Sequence, residues 1–211
     1  MSYLKEMAAS GYTMESIGPF HSVMLPFLAK ELSVGKTARI VDIGPAQGHC
    51  VIPLHRSGYI NIDVVDRDSY NFTTFSDVFS FQCHQCDVAH DPLPFQSSTF
   101  DWIICFHLIE HLENPQWFLE EAYRVLKVDG VVTLVTPDWR KQFKTFWRDP
   151  THLRPFDKES ISRAMRMARF GDVRTSSWNS RWGLGRIQAY RAIPKLGMIG
   201  KDLLAIGYKR L

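Results

Sequence analysis

The sequence has no apolar run close to the roughly 20 residues that a membrane-spanning helix needs. Its first residues do not show the basic and then apolar pattern of a secretory signal peptide. Only four cysteines occur among 211 residues, which argues against a disulfide-bonded secreted scaffold and for reduced thiols. These absences predict a cytoplasmic protein without a transmembrane segment.

Internal repeats and low-complexity segments are also absent. The hydrophobic content of 45% is ordinary for a globular protein, and the length fits one domain with a large core. Apolar strand-like runs alternate with helix-like segments, which predicts an α/β fold with a seven-stranded, mostly parallel sheet and helices on both faces. The strands are predicted near residues 38–44, 60–66, 80–86, 101–106, 131–136, 172–178 and 202–209.

Helix signals fall between these strands. Asn114 is a good N-cap and Pro115 a favoured first helical residue, so a helix is predicted over 115–127. Residues 20–32 carry apolar side chains at helical spacing, although Pro26 must kink or interrupt that helix. Two further helices are predicted, over 139–147 and 158–168.

The most informative segment is 38–48, an apolar run that ends in an acid and breaks into small residues. It indicates a buried strand that turns tightly into a helix. Gly44, Ala46 and Gly48 let the backbone approach a ligand, and the helix offers free N–H groups at its positive end. The spacing departs from the dinucleotide fingerprint, and no P-loop Lys-Ser/Thr follows. The turn therefore predicts a nucleotide- or nucleoside-type cofactor.

Acidic residues follow the next two strands. Asp66 lies about 20 residues after the turn, where a carboxylate can accept hydrogen bonds from both ribose hydroxyls. Asp68 is the alternative, because the end of the strand is fixed only to within a residue or two. Asp87 stands beside an apolar clamp in the segment 86–95. Two further motifs complete the series, in segments 100–112 and 124–130.

In this order the motifs resemble those of the class I S-adenosylmethionine-dependent methyltransferases, closely over residues 37–160. Small-molecule enzymes of that class read roughly D-I-G-x-G-x-G, L-P-F…F-D, H-x-x-E-H-L and R-x-L-K-x-G-G. The resemblance implies a Rossmann-like single domain with S-adenosylmethionine as cofactor. Its parts would be an N-terminal helical lid (1–35), a cofactor-binding core (36–137) and a substrate cap with the final strands (138–211).

The resemblance also implies roles for particular residues. Asp42 would orient the glycine turn or contact the cofactor amino group, and Asp66 would hold the ribose. Asp87 would accept a hydrogen bond from the adenine amino group, with the Val88 N–H on a ring nitrogen. The implied cofactor-binding set is Asp42, Gly44, Pro45, Ala46, Gln47, Gly48, Asp66, Arg67, Asp87, Val88 and Phe106.

The chain departs from the family pattern at two positions. Ala46 replaces the middle glycine, which narrows the space at the methionine end of the cofactor. Asp129 replaces the first glycine of a pair; we expect it at a helix end, remote from any ligand and without effect on binding.

His107, Glu110 and His111 form the candidate catalytic group, because their spacing would place them on one face of a helix. Either histidine could act as a general base without metal. With the downstream His152, the group could instead hold a divalent metal that acidifies an acceptor hydroxyl, as in small-RNA 2′-O-methyltransferases and ubiquinone-pathway O-methyltransferases. Metal-free chemistry is the favoured interpretation, and a purely structural role is the third.

Charge divides the chain unevenly. Residues 1–138 hold 8 Lys/Arg and 17 Asp/Glu, a net of −9, whereas residues 139–211 hold 17 and 5, a net of +12. The basic third is rich in aromatics, which favours an anionic acceptor or a lipid surface over a merely solvated face. His152, Arg154 and Trp139 are the candidate substrate-binding residues.

Two segments have a bland and a functional interpretation. The insertion 184–199 interleaves apolar and basic residues and could lie on a membrane interface, but a hairpin that covers the sheet edge or packs in a dimer is favoured. Cys83 and Cys86 have zinc-like spacing, yet two half-buried strand cysteines are the better interpretation.

These features predict a methyltransferase that O-methylates a sugar, a lipid-linked sugar or another small hydroxylated acceptor, with peripheral membrane contact left open. The alternative is an RNA methyltransferase that uses the basic third. No RRM or KH motif supports that alternative. A non-catalytic scaffold is a poorer option, because the site acids are intact.

Overall fold

The described part of the chain, residues 19–178 and 201–211, forms an α/β fold in the computed structural model. Its strands are β1 (Ile40–Ile43), β2 (Ile62–Asp66), β3 (Gln82–Gln85), β4 (Phe100–Phe106), β5 (Leu126–Pro137), β6 (Gly171–Trp178) and β7 (Asp202–Tyr208). Its α-helices are α1 (Pro19–Glu31), α2 (Val51–Arg56), α3 (Phe72–Phe79), α4 (Pro115–Val125), α5 (Trp139–Gln142) and α6 (Lys158–Met167). Two 3₁₀ turns are also present, at Ile109–His111 and Phe146–Arg148.

These strands form one sheet in the order β3-β2-β1-β4-β5-β7-β6. Strands β1 to β5 pair in parallel, whereas β7 runs antiparallel to both β5 and β6. The predicted seven-stranded, mostly parallel sheet is confirmed. The strand order reverses between β1 and β4, so the loops after these two strands diverge at the carboxyl edge of the sheet. Open α/β sheets bind their ligands in the crevice at that point.

Each face of the sheet has its own apolar core. Ile43 of β1 packs with α4 and α6 on one face, whereas the preceding Ile40 packs with α1, α2 and α3 on the other. Trp102 of β4 is fully buried, and its indole N–H donates to Oγ1 of Thr133 at 3.0 Å. The two cores hold the carboxyl ends of the strands in a fixed relation, which positions the loops described below.

The helix predicted over 115–127 and the strand predicted over 131–136 meet without a loop. Asn114 caps α4 as predicted, accepting from the Trp117 N–H at 3.2 Å, but α4 ends at Val125 and β5 begins at the next residue. Asp129 therefore lies within β5 and not at a helix end. It adopts a φ of 62° and pairs with Arg210, which explains how it replaces a glycine there.

The prediction of one continuous helix over 139–147 is also wrong. The chain forms α5 over its first residues and a separate 3₁₀ turn at Phe146–Arg148. Thr145 is the cause, because both its N–H and its hydroxyl donate to the Gln142 carbonyl, at 2.8 and 3.1 Å. A hydroxyl that bonds locally to the backbone competes with helix propagation.

Several predictions fall partly or wholly outside the described residues. They concern the first half of the helical lid, within 1–18, and the insertion 184–199. The described helix α1 contains Pro26 and packs on α2 through the buried Leu25. No helix in the described ranges is long and apolar enough to cross a membrane. The division into lid, core and cap stays a prediction.

Candidate active site

The turn after β1 adopts the conformation that its small residues predict. Gly44, Ala46 and Gly48 all have positive φ angles, of 74°, 47° and 78°. A Cβ on Gly44 would lie 3.2 Å from Cδ2 of Leu108 in the loop after β4, so the glycine lets the β1 and β4 loops approach each other. Ala46 is the one non-glycine of the three and has the left-handed backbone that costs an alanine about 1 kcal/mol.

Two buried polar atoms beside this turn have no partner in the described structure. They are Oδ2 of Asp42 and Nε2 of Gln47. Burial, and secondarily the nearby Asp66 carboxylate, raises the pKa of Asp42 to about 8. The amino-acid part of S-adenosylmethionine carries an ammonium and a carboxylate, which match an unpaired carboxyl oxygen and an unpaired amide N–H. The residues present therefore fit this cofactor.

Asn71, at the start of α3, fixes the turn and was not among the predicted site residues. Its buried amide Nδ2 donates to the Ala46 carbonyl at 2.6 Å and to Oε1 of Gln47 at 3.3 Å. Because the side-chain oxygen of Gln47 accepts this second hydrogen bond, its amide nitrogen Nε2 points away from Asn71. An asparagine immediately before a helix was the available signal, but such a residue usually caps its own helix.

The acid after β2 is Asp66, and the structure separates its role from that of Asp68. Oδ1 of Asp66 accepts from the Asp68 N–H at 3.0 Å, and partial burial raises the pKa of Asp66. The Asp68 carboxylate instead accepts from the Tyr70 N–H at 2.9 Å within the same turn. Asp66 is the last residue of β2, whereas Arg67 is exposed and its carbonyl accepts from Nε2 of Gln85 at 3.0 Å.

The loop after β3 begins with Asp87 and Val88. The carboxylate of Asp87 accepts from the Ala89 N–H at 3.1 Å, and its carbonyl accepts from His90 and Asp91. Val88 is buried against the apolar core. This tight loop presents Asp87 at the carboxyl edge of β3, on the same edge as Gly44 and Asp66.

A partly buried ion pair on α4 holds the far end of this loop. Glu121 and Arg124 pair at 2.8 Å, and Oε2 of Glu121 accepts from the Leu93 N–H at 2.8 Å. The Arg124 guanidinium donates to the carbonyls of Leu93 and Phe95, at 2.9 and 2.7 Å. The fork geometry of arginine suits such multiple acceptors.

Substituting Arg124 tests whether this pair serves the site. We expect Arg124→Ala to lower the free energy of unfolding by about 2 kcal/mol, because it strips hydrogen bonds from Glu121 and two carbonyls. Cofactor affinity should fall roughly tenfold, about 1.4 kcal/mol, as the loop loosens. Denaturant titration and calorimetry measure both, with Arg163→Ala on α6 as control. Reduced stability with unchanged affinity would contradict the link between loop and cofactor.

The candidate catalytic residues do not share one helical face, because only Ile109–His111 forms a 3₁₀ turn and His107 precedes it. His107 has a φ of 53° and is 44% exposed at the side chain, whereas Glu110 is fully buried. Nδ1 of His107 lies 3.5 Å from Oε1 of Glu110. This is an ion-pair distance without hydrogen-bond geometry.

Glu110 is anchored through its second carboxylate oxygen and its backbone carbonyl. Its Oε2 accepts from Oγ1 of Thr136 at 3.0 Å, and its carbonyl accepts from the N–H groups of Leu153 and Arg154, at 2.8 and 2.9 Å. Burial alone would raise the pKa of Glu110, but the His107 contact outweighs it and the net shift is downward. Burial likewise lowers the pKa of His107, and Glu110 reverses that to a net rise. The pair therefore favours an imidazolium beside a carboxylate.

His111 faces a second loop, which follows α5. Its Nδ1 lies 2.9 Å from Oγ1 of Thr151, whose hydroxyl donates to Oδ1 of Asp149 at 2.6 Å. That hydroxyl hydrogen is already used, so Nδ1 of His111 must carry the proton in the His111–Thr151 contact. The neutral tautomer then has its lone pair on Nε2. Thr151 and Asp149 were missed, because the sequence places them 40 and 38 residues away from His111.

His152 has the same tautomer, since its Nδ1 lies 2.7 Å from the Phe146 carbonyl. The rings of His111 and His152 are 4.8 Å apart. Ligand atoms of Glu110, His111 and His152 all lie within 4.8 Å of one another, so these residues could hold a divalent ion. His107 is not part of this group, although the predicted metal set included it.

Phe106, Arg154 and Trp139 are further predicted site residues. Phe106 ends β4 and contacts the Trp178 ring at 5.9 Å. The Arg154 guanidinium donates to the Glu113 carbonyl at 2.6 Å, so it ties two loops together, and its substrate role stays a prediction. Trp139 starts α5 and is partly exposed.

Comparison with known proteins identifies the family. The family model described as "Methyltransferase domain" matches residues 21–174. The chain belongs to this family, which confirms the predicted class of S-adenosylmethionine-dependent methyltransferase and its cofactor. The predicted Rossmann-like fold is confirmed as well.

Two curated relatives are plant enzymes. The chain is 26% identical over 168 residues to 2-methyl-6-phytyl-1,4-hydroquinone methyltransferase 2, chloroplastic, of Oryza sativa subsp. japonica, covering 76% of this chain and 45% of that protein. The corresponding enzyme of Arabidopsis thaliana is also 26% identical over 168 residues, covering 76% of this chain and 46% of that protein. The chain thus spans about half the length of these relatives.

Solved structures share the fold. An S-adenosylmethionine-dependent methyltransferase from Archaeoglobus fulgidus is 20% identical with a TM-score of 0.64, covering 90% of this chain and 94% of that one. A complex of the Haloferax volcanii Trm112 methyltransferase activator with a methyltransferase gives a TM-score of 0.74 at 16% identity, covering 100% and 99%. These likenesses show the architecture alone.

Proposed function

We propose that this chain transfers a methyl group from S-adenosylmethionine to a small hydroxylated acceptor that carries an apolar tail. The convergence of Glu110, His111 and His152 at the carboxyl edge of β4 is the observation that carries the proposal. The curated relatives are named for a phytyl hydroquinone, which is both hydroxylated and lipid-like. A lipid-linked sugar belongs to the same chemical class.

When bound, S-adenosylmethionine supplies an electrophilic methyl group on a sulfonium centre. Methyl transfer to oxygen forms a C–O bond, breaks the S–C bond and releases the hydroxyl proton. His111 takes up that proton on Nε2, because its Nδ1 already carries a hydrogen directed at Thr151. His107, whose pKa the Glu110 carboxylate raises, donates a hydrogen bond that fixes the acceptor oxygen.

The acceptor class is tested with labelled cofactor. The panel contains hydroquinones with and without a prenyl tail, free sugars, lipid-linked sugars and RNA, each assayed with and without chelator. We expect label in the tailed acceptors and little in RNA. Incorporation into RNA, together with a salt-sensitive gel shift, would instead favour the RNA methyltransferase interpretation.

The proposed ribose contact gives a separate prediction. Asp66→Ala should weaken S-adenosylmethionine binding by about 1.5 kcal/mol, roughly tenfold, because the ribose hydroxyls lose a charged acceptor. Asp68→Ala is the matched control and should bind nearly normally, since that carboxylate serves its own turn. Calorimetry measures both, and a larger loss in the Asp68 variant would reverse the assignment.

A further inference from the structure

A cluster of exposed apolar side chains follows β5. Trp139, Phe143, Trp147 and Leu153 are 37%, 58%, 60% and 44% exposed. The first three are spaced four residues apart in the sequence: Trp139 begins α5, Phe143 immediately follows it, and Trp147 lies in the 3₁₀ turn. We name these four residues the aromatic patch. Exposed apolar side chains that are grouped on a surface mark an interaction site more often than single exposed ones do.

Basic residues are interleaved with the aromatic patch. Residues 139–148 contain Arg140, Lys141, Lys144 and Arg148 and no acidic residue. Arg140 pairs with Asp157, and Lys141 bonds Ser177. Lys144 and Arg148 form no ion pair with any residue in the described ranges.

The aromatic patch borders the candidate active site. The buried Phe146 ring lies 4.9 Å from the Trp147 ring and 4.5 Å from the His152 ring. His152 in turn contacts His111. The Leu153 N–H donates to the Glu110 carbonyl at 2.8 Å. A partner that covers the patch therefore lies beside the groups that handle the acceptor.

We propose that the aromatic patch, with Lys144 and Arg148, docks this enzyme on a bilayer that contains anionic lipids. Aromatic side chains partition to the headgroup level of a membrane, and lysine and arginine beside them attract anionic headgroups. The inference rests on the proposed function in one respect: an acceptor with an apolar tail resides in the bilayer. Docking at the patch lets such an acceptor reach His111 without leaving the lipid.

Vesicle sedimentation tests the proposal on the full chain. We expect binding to vesicles of phosphatidylcholine containing a minority of phosphatidylglycerol, much weaker binding to pure phosphatidylcholine, and loss of binding as salt rises. The double variants Phe143→Ala/Trp147→Ala and Lys144→Glu/Arg148→Glu should each lower the partition coefficient at least about tenfold.

Matched controls change the same kinds of residue elsewhere. Val78→Ala/Met167→Ala removes two apolar side chains that are 65% and 64% exposed on α3 and α6. Arg163→Glu/Arg166→Glu reverses two exposed charges on α6. Both control pairs should bind vesicles like the unmodified protein. Equal losses in patch and control variants would overturn the proposal and leave only unspecific charge attraction.

Two further outcomes also overturn it. One is no binding to anionic vesicles; the other is RNA binding that depends on the patch while vesicle binding does not. Sedimentation needs neither cofactor nor acceptor, so it separates this proposal from the proposed function. An enzyme that docks but methylates no tailed acceptor refutes the function alone, and one that methylates a detergent-dispersed acceptor without docking refutes the docking alone.

Discussion

His111→Ala should lower kcat by roughly 10²- to 10⁴-fold while S-adenosylmethionine binding is retained. The reason is geometric. The Thr151 hydroxyl is committed to Asp149, so Nδ1 of His111 carries the proton and Nε2 remains the basic nitrogen. Single-turnover assays measure the chemical step, and calorimetry measures the cofactor affinity. His90→Ala, at an exposed histidine in the loop after β3, is the control and should have normal kcat.

Substitutions of Thr151 separate orientation from mere packing. Thr151→Ser keeps the hydroxyl and should keep the activity, whereas Thr151→Val loses the contact that fixes the His111 tautomer. We expect the valine variant to lose roughly 10-fold or more in kcat, as supporting hydrogen-bond partners of catalytic histidines typically do. Equal activity of the serine and valine variants would show that the contact has no part in turnover.

The same variants decide whether a metal takes part. Glu110, His111 and His152 bring their ligand atoms within 4.8 Å. If they bind a divalent ion, chelator should reproduce the His111→Ala loss in the unmodified enzyme, and added ion should restore the rate. Chelator-insensitive turnover would assign the group to proton transfer. Normal kcat with lower stability in His111→Ala would place His111 in the packing of the loop.

The sheet and the cofactor turn could be predicted because their signals are local. The run that ends at Asp42 and the glycines at 44 and 48 specify a strand and a left-handed turn within a few residues. Asp66 and Asp87 follow parallel strands, whose carboxyl ends share one edge of the sheet. Element order and topology therefore followed from periodicity and turn residues.

The supporting contacts could not be predicted, because they join residues far apart in sequence. Thr151 meets His111 across 40 positions, and Arg124 meets the Leu93 carbonyl across 31. The splitting of the helix over 139–147 had a local cause in Thr145, but a single threonine within a helix-like pattern is a weak signal. The left-handed backbone of His107 had too weak a signal, since few non-glycine residues adopt it, although histidine does so more often than most.

A second large effect is expected at Asp42. Burial raises the pKa of this carboxyl to about 8. In the free protein at pH 7 this carboxyl is mostly protonated, and its buried Oδ2 has no hydrogen-bond partner among the described residues, so we assign it to the cofactor amino group. An ammonium group there favours the carboxylate, so binding must release the proton. Affinity for S-adenosylmethionine should therefore rise with pH by up to about tenfold per unit from pH 6 and level off above pH 8.

The stability of the free protein changes with pH in the opposite direction to the cofactor affinity. A carboxyl whose pKa is raised on folding stabilises the protein below its ordinary pKa, and that contribution is lost as the pH rises through about 8. Asp42→Asn removes the buried charge. It should make the free protein more stable at pH 9 by at least about 1 kcal/mol, and weaken cofactor binding at that pH by about 2–3 kcal/mol.

Calorimetry in buffers of different ionisation enthalpy counts the released proton directly. We expect roughly nine-tenths of a proton per bound cofactor at pH 7. S-adenosylhomocysteine keeps the amino group and should release the same amount, whereas adenosine lacks it and should release none. Asp66→Asn should move the pH midpoint of affinity downward, because the Asp66 charge contributes to the raised pKa of Asp42. Proton release with adenosine, or its persistence in Asp42→Asn, would assign the titration to another group.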